Sequence, residues 1–491
     1  MSLPRFPHYI DGDFAEAAET FESLDPFTEQ PWAVMPAASA ADVDRAVTAA
    51  HRALHDDAWA DLTPTARGKL LVRLGDLVAE HAGRLAEYET RDTGKIIRET
   101  RAQIGYVADY YRYFGGLADK LQGAHLPVDK PDMDVTLRRE PIGVVAAIVP
   151  WNSQLFLSAV KLGPALAAGC TVVLKASEDG PAPLLEFARL VHEAGFPKGV
   201  VNVVTGFGDA CGRTLTSHPL VSRVAFTGGP ATARHVVRNT AENFAHTTLE
   251  LGGKSPVIVF ADADLDSVSN AIVAGIFAAS GQSCVAGSRL YVERSAQDRL
   301  LDILKAKAAR ITIGDPQDAA TEMGPLATKR QRDGIEAVLA RSVAAGATIV
   351  TGGKRPAGRE RGFFFEPTIV LAEHNDVPCM AEELFGPVLT VMPFDGEADA
   401  LAKANDSPFG LASGLFTRDL ARAHRMIRRL KAGIVWVNTY RAVSPIVPFG
   451  GHGQSGLGRE GGIESILDYS RTKSVWIRTS DDPIPDPFVM R

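Results

Sequence analysis

The stretch S-G-Q-S-C-V-A-G-S-R, residues 280–289, sets Cys284 among small, flexible neighbours. Structural cysteines usually sit among bulky apolar side chains that keep them dry. Gly281, Ser283, Ala286 and Gly287 instead leave room for a reactant to approach the sulfur. A free thiol has a pKa of about 8.5, so a few per cent is thiolate near neutral pH and able to attack a carbonyl. Such chemistry also needs a general base, donors for an oxyanion and a cofactor. Alone, a cysteine in such a loop is more often incidental than reactive. Three other stretches carry groups of the right type: P-W-N at 150–152, L-E-L-G-G-K-S-P at 249–256 with Glu250, and E-E-L-F-G-P-V at 382–388.

These groups must be held by a large fold, and the chain is long enough for one. Its 491 residues are 45% hydrophobic and 23% charged, ordinary values for several globular domains with a substantial core. The net charge of −7 gives no basic bias towards nucleic acid. The four cysteines show no CxxC pair and no zinc-like spacing, so neither a disulfide framework nor a metal is expected. The opening M-S-L-P-R-F-P-H-Y-I-D-G-D-F has no apolar signal core, and no run of 18 apolar residues follows. The expectation is a reducing, cytoplasmic setting without membrane partners.

From about residue 140 short apolar runs alternate with helical patterns. P-I-G-V-V-A-A-I-V-P, T-V-V-L-K, G-V-V-N-V-V-T and R-V-A-F-T read as strands; Leu155 to Ala168, closed by Gly169, and the stretch opened by Pro181 read as helices. Near-continuous Val and Ile runs mark strands covered on both faces, and strand–helix–strand repetition implies a doubly wound parallel sheet. Ligands in such sheets bind beyond the carboxyl ends of the strands. A second α/β unit starts after Glu250 with S-P-V-I-V-F, a helix from Leu265 towards Ser280, and strands near 348–351 and 388–393. The first hundred or so residues read as mostly helical. D-V-T-L-R-R-E-P and the late K-S-V-W-I-R read as strands outside both sheets, and exposed edges of that kind invite pairing with another subunit.

Taken together, P-W-N, L-E-L-G-G-K, the Cys284 loop, E-E-L-F-G-P-V and the segment from W-V-N-T-Y to P-F-G-G-H-G-Q-S-G-L-G-R-E, Trp436 to Glu460, resemble the aldehyde dehydrogenase superfamily over nearly the whole chain. The resemblance implies NAD(P)-dependent, hydrolytic oxidation of an aldehyde to a carboxylic acid. In it Cys284 forms a thiohemiacetal and then a thioester, Asn152 and the Cys284 backbone N–H hold the oxyanion, and Glu250 activates water. Lys161 and Glu460 match positions linked to a proton relay, although as isolated residues they would read as surface charges. The implied architecture is a Rossmann-like cofactor domain from 1–123 and 142–250, a catalytic domain at 251–450, and a β bridging element from 124–141 and 469–491 that joins subunits of a homodimer or homotetramer.

G-F-G-D-A-C-G, Gly206 to Gly212, fails the G-x-G-x-x-G fingerprint because Cys211 stands where the third glycine belongs. The resemblance accounts for this, since the family binds its dinucleotide in a variant manner. It implies cofactor contacts from Pro150, Trp151, Asn152, Lys175, Ser177, Glu178, Gly208, Phe226, Gly228, Gly229, Leu251, Glu383 and Phe385. Glu178 would accept from both ribose hydroxyls and repel a 2′-phosphate, so NAD is expected, while Lys175 and Ser177 leave room for NADP. F-T-G-G-P-A-T-A departs from the family's F-T-G-S-T-x-x-G: Gly229 lacks a hydroxyl and Pro230 lacks an N–H, yet proline suits the first position of a helix whose N-terminus faces phosphate.

The family commonly follows P-W-N with an aromatic residue and proline; this chain has Ser153 and Gln154. By resemblance Ser153, Leu157, Val160, Ser283, Val285 and Phe449 line the aldehyde tunnel. Their small or apolar side chains suit a bulky or aromatic aldehyde, and they form no aromatic cage for a quaternary ammonium such as betaine aldehyde. Arg441, after Asn438, would hold the carboxylate of a semialdehyde, but by itself reads as a solvated arginine. A CoA-acylating dehydrogenase is the other enzymatic alternative, and Glu250, placed to activate water, argues against it.

Overall fold

A computed structural model of the chain describes residues 2–489. Met1, within the expected cofactor domain, and Met490 and Arg491, within the expected bridging element, lie outside the described residues.

Two parallel sheets dominate. The five central strands of the first are Val201–Thr205, Thr171–Ala176, Val144–Ile148, Val221–Gly228 and His246–Leu251, in that spatial order and all parallel. The chain builds outwards from Val144–Ile148 on one side and then returns to build on the other, so the strand order reverses there. At such a switch point a crevice opens beyond the strand ends, and Pro150, Trp151 and Asn152 follow that strand directly. Every residue of Val144–Ile148 and of Thr171–Ala176 is buried, as strands sandwiched between helices must be. At roughly 1.5–3 kcal/mol per fully buried aliphatic side chain, these runs anchor the layer.

The second sheet runs Thr348–Thr351, Thr368–Leu371, Val388–Phe394, Arg289–Glu293, Pro256–Val259, Ala412–Phe416, Ile434–Val437, with only the first of these antiparallel. Gly456–Leu457 then crosses back to pair with Leu249 and Glu250 of the first sheet. A third sheet joins Ser470–Arg478, Met133–Pro141 and Ala124–His125. Trp476 and Ile477 are exposed on its edge strand. Among the described residues no helix is long and apolar enough to cross a membrane.

The N-terminal expectation needs correction. Residues before the first long helix, Ala40–His55, form four strands rather than helix. His8–Ile10 and Asp13–Ala15 make a hairpin around Asp11 and Gly12, both at positive φ (58° and 80°). This Asp-Gly turn is the two-residue connection whose twist suits a hairpin, and Tyr9 pairs with Val203 to extend the first sheet. Glu19–Asp25 and Gln30–Ala37 form a second hairpin.

Asp92, buried at the end of helix Ala82–Thr93, ties this second hairpin to the sheet layer. Its carboxyl accepts from Ser23 Oγ, from Trp32 Nε1 at 3.0 Å and from the Ala182 N–H at 2.8 Å. Burial raises its pKa to about 6 against the pull of those donors. Each donor left without an acceptor costs about 1–3 kcal/mol. Asp92→Ala is therefore expected to lower the thermal midpoint by about 5 °C, and Asp92→Asn, which keeps an acceptor, by less; calorimetry of the two variants checks the ranking.

Candidate active site

Cys284 is presented by a strained turn. Helix Leu265–Phe277 starts at Asp264, whose side chain accepts from the N–H groups of Asp266 and Ser267. After its last turn Ala279, Ser280 and Gly281 are all left-handed, with φ of 51°, 53° and 73°. Each non-glycine residue held so costs about 1–3 kcal/mol and persists only when its surroundings enforce it. Here both Glu99 carboxylate oxygens accept from the Ala279 N–H at 2.9 and 3.0 Å. Ser280 Oγ donates to Gly324 O at 2.8 Å, and Gln282 Oε1 accepts from Ala327 N at 2.9 Å. A Cβ on Gly281 would stand 2.1 Å from Gly386 O, so only glycine fits.

Cys284 itself is half-buried, whereas Cys170, Cys211 and Cys379 are fully buried. Burial pushes its thiol up to about 12, and the Glu383 and Glu250 carboxylates push the same way. Burial and these two carboxylates therefore disfavour the thiolate relative to a free thiol.

Glu250 ends strand His246–Leu251, in register with Thr227 on the neighbouring strand. The carboxyl is buried, and neither oxygen has a hydrogen-bond partner. Burial, and then the neighbouring Glu460, hold it well above the usual carboxylate range, while Lys161 pulls the other way. Glycine makes the pocket: a Cβ on Gly450, whose φ is 153°, would lie 2.6 Å from Glu250 Oε1. Lys161 and Glu460 are not surface charges. They are 0% and 4% exposed and form an ion pair, with Lys161 Nζ also donating to Thr227 Oγ1 at 2.7 Å. Reciprocal backbone bonds between Glu460 and Phe449 clip this pair to the tunnel wall.

Asn152 lies on the short turn Trp151–Ser153. Its Nδ2 donates to Gln282 O at 3.0 Å, two residues before Cys284. One amide proton is thus pinned to the Cys284 loop, and the other has no protein acceptor.

These groups share a cavity of about 450 Å³. Ser153, Leu157, Val160, Ser283, Val285 and Phe449 all line it, beside Cys284, Glu250, Asn152 and Glu460. Sequence reasoning missed one whole wall, supplied by Glu99, Gln103, Tyr106 and Tyr110 of helix Ile97–Leu117. Their spacing of four, three and four residues is a single helical stripe, a signal available in the sequence. With Phe156 and Tyr440 this wall adds four aromatic rings to the one, Phe449, among the expected tunnel positions. Arg441 is half-buried and lines the cavity with φ of 63°, and its Nη1 donates to Ala274 O at 2.9 Å.

The residues expected to hold a dinucleotide gather at the carboxyl edge of the first sheet and at the facing 382–388 loop. Lys175 Nζ lies 3.2 Å from Glu178 Oε2, and Ser177 Oγ accepts from Asp179 N. Gly208 opens a π-helical turn, Gly208–Arg213, with Cys211 buried in it, so a fingerprint loop has no place there. Gly229 precedes helix Pro230–Asn239, with proline at its first position and open space where a side chain would be. Leu251 lines an apolar groove of about 380 Å³ along that helix. The Phe226 ring packs so closely under Gly228 that a Cβ there would approach it to 2.5 Å. Glu383 Oε1 accepts from Gly253 N at 3.0 Å, and burial raises this carboxyl to about 7. Phe385, held at φ of 51°, meets Trp151 edge-on at 5.4 Å. A carboxylate for ribose hydroxyls, a free helix N-terminus and an apolar groove fit a dinucleotide.

Comparisons with known proteins agree with this geometry. The model of the aldehyde dehydrogenase family matches residues 14–475. A (Z)-2-((N-methylformamido)methylene)-5-hydroxybutyrolactone dehydrogenase of Acinetobacter baylyi is 59% identical, with 100% of both chains covered. A betaine aldehyde dehydrogenase of Rhizobium leguminosarum bv. trifolii is 41% identical over 99% of both. Betaine aldehyde dehydrogenase from Staphylococcus aureus, solved in complex with NAD+, superposes with a TM-score of 0.96 at 37% identity, covering 99% of this chain and 97% of that one.

The raised thiol pKa and the contrast among the four cysteines give a direct test. Under native conditions iodoacetamide should label Cys284 alone, at a rate still climbing at pH 10, because a thiol raised above its usual pKa gains thiolate only at higher pH. Peptide mass mapping across pH reads both points; a plateau near pH 8 would contradict the burial.

Proposed function

The chain belongs to the aldehyde dehydrogenase family, and we propose that it carries out hydrolytic, NAD-linked oxidation of a bulky aldehyde at Cys284. The observation that carries this reading is Glu250, buried beside the Cys284 cavity with both carboxylate oxygens free of protein partners. A base so placed serves water, which favours hydrolysis over acyl transfer to CoA.

Cys284 gives its thiol proton to water in the cavity as Sγ forms a bond to the aldehyde carbon; the carbonyl π electrons move to oxygen, and this oxyanion is held by the free Asn152 amide proton and the Cys284 N–H. Such donors are worth about 3 kcal/mol each in a water-poor site. Bound NAD supplies the hydride acceptor, with Glu178, Gly229, Glu383 and Phe385 in position to hold it. Loss of hydride from carbon leaves a thioester on Cys284. Glu250, once ionised, takes a proton from water as the water oxygen attacks the thioester carbon. The C–S bond then breaks to release the acid, and the Lys161–Glu460 pair carries the proton on from Glu250.

The cavity's volume and its aromatic wall support a bulky substrate, and those rings return betaine aldehyde to the substrates worth assaying. A second reading has its own support. Arg441 lines the cavity, and a 5-hydroxybutyrolactone, named for the Acinetobacter relative, is the ring-closed form of an aldehyde that also bears a carboxylate. We further read the protein as a cytoplasmic homodimer or homotetramer, with the unpaired outer edge of Ser470–Arg478 in the bridging element as the joining surface.

NADH formation across aromatic, aliphatic, quaternary-ammonium and carboxylate-bearing aldehydes, with NAD and NADP, tests the reading. Cys284→Ala should fall below about 10⁻³ of wild-type activity. Glu250→Gln should give one burst of NADH per site and then a steady rate about 10²–10⁴-fold down. Because Glu250 ionises only above its raised pKa, the wild-type steady rate should fall as pH drops. Loss of burst and steady rate together in Glu250→Gln would assign Glu250 elsewhere.

A further inference from the structure

Lys95 sits in the turn between helices Ala82–Thr93 and Ile97–Leu117 and is buried at 6% exposure, rare for a lysine. Its three ammonium protons are fully assigned: Glu89 Oε1 at 3.0 Å, Gln103 Oε1 at 2.9 Å and Ser153 Oγ at 3.0 Å. The buried Glu89 carboxylate balances its charge. Lys95 therefore has no donor left for a ligand, although it lines the cavity.

The network continues in one direction. Gln103 Nε2 also donates to Ser153 Oγ, at 3.2 Å, so both lone pairs of that hydroxyl are taken. The hydroxyl has one proton to give, and gives it to the Asn152 carbonyl at 2.7 Å. Asn152 is thus held at both ends: its backbone carbonyl by Ser153 and its carboxamide by Gln282 O.

We propose that Lys95 is a positioning residue, which acts through Ser153 to fix the Asn152 peptide and so aims the Asn152 carboxamide at the oxyanion formed on Cys284. The proposal rests on the aldehyde-oxidising role given above. It assigns a task to Ser153: a hydroxyl at this position links the buried ammonium to the peptide that carries the Asn152 carboxamide.

The test is a double-mutant cycle on the full-length enzyme, with its best aldehyde and saturating NAD. Ser153→Ala leaves the Lys95–Glu89 pair intact, so folding should survive; an unchanged thermal midpoint and Cys284 alkylation rate verify this. Its kcat should fall about tenfold, part of the 10²–10³-fold that loss of an oxyanion donor costs, with KM changed less than about twofold. Ser153→Thr, which keeps the hydroxyl, should recover kcat to within about threefold of wild type. In an Asn152→Ala background the same Ser153→Ala change should cost less than about twofold, because the group it aims is gone. Equal losses in both backgrounds, or a loss confined to KM, would overturn the positioning role alone. Absence of aldehyde turnover in the wild type would overturn both this and the parent reading.

Discussion

The site is governed by the cost of keeping ionisable groups out of water. Cys284, Glu250 and Glu383 all lie where burial disfavours their charged forms, and their carboxylates raise the Cys284 pKa further. Like charges oppose one another in a space of low dielectric, so burial and mutual repulsion both disfavour charge on these three groups. The charges that persist are salt-bridged: Lys161 with Glu460, and Lys95 with Glu89. Each pair is fully or nearly buried, and breaking either by removing one partner would leave a charge with no counterpart.

That arrangement demands tight geometry, and the fold supplies it from two directions. Asn152 and Glu250 come from carboxyl ends of strands in the first sheet, Cys284 from the loop that feeds Arg289–Glu293 of the second. Glycines permit the approach between them. Gly252 would place a Cβ 1.8 Å from Glu383 Oε2, and Gly253 one 2.9 Å from the Cys284 carbonyl. The G-G of L-E-L-G-G is thus steric: it lets Glu383 lie flat against the strand that carries the base. The strained residues 279–281 are the corresponding device on the other side, held by Glu99 from a helix 180 residues away in sequence.

How much of this was legible in the residues depended on range. Strands of Val and Ile and the helix closed by Gly169 follow from local pattern, whereas the clustering of Cys284, Glu250 and Asn152 is what the family resemblance implies. The N-terminal hairpin was also local, announced by Asp11-Gly12, but it was overlooked among helical neighbours. The thiol pKa was not legible at all. It is set by desolvation and by carboxylates distant in the chain, and loop composition alone suggested an open sulfur with the pKa of a free thiol. Lys161 and Glu460 misled in the same way, since only tertiary packing makes a charged residue a buried one. The Lys95 network joins residues 89, 95, 103 and 153, and no pairwise spacing reveals it.

The division of labour within the cavity follows from where its walls originate. Asn152, Glu250 and Cys284 stand at sheet termini and tight turns, where backbone hydrogen bonds hold the chain. The groups that face the rest of an aldehyde come from one stripe of helix Ile97–Leu117 and from the loop through Tyr440, Arg441 and Phe449. A helix stripe can exchange Tyr106 or Tyr110 for other side chains without moving its backbone, and a loop tolerates more change still. Ser153 is where the two systems meet: it faces the cavity, and through the Asn152 carbonyl it touches the chemistry. Substitution there cannot change the tunnel without also changing the aim of the oxyanion donor. On this argument specificity and rate are separable along the helix Ile97–Leu117 wall and coupled at Ser153.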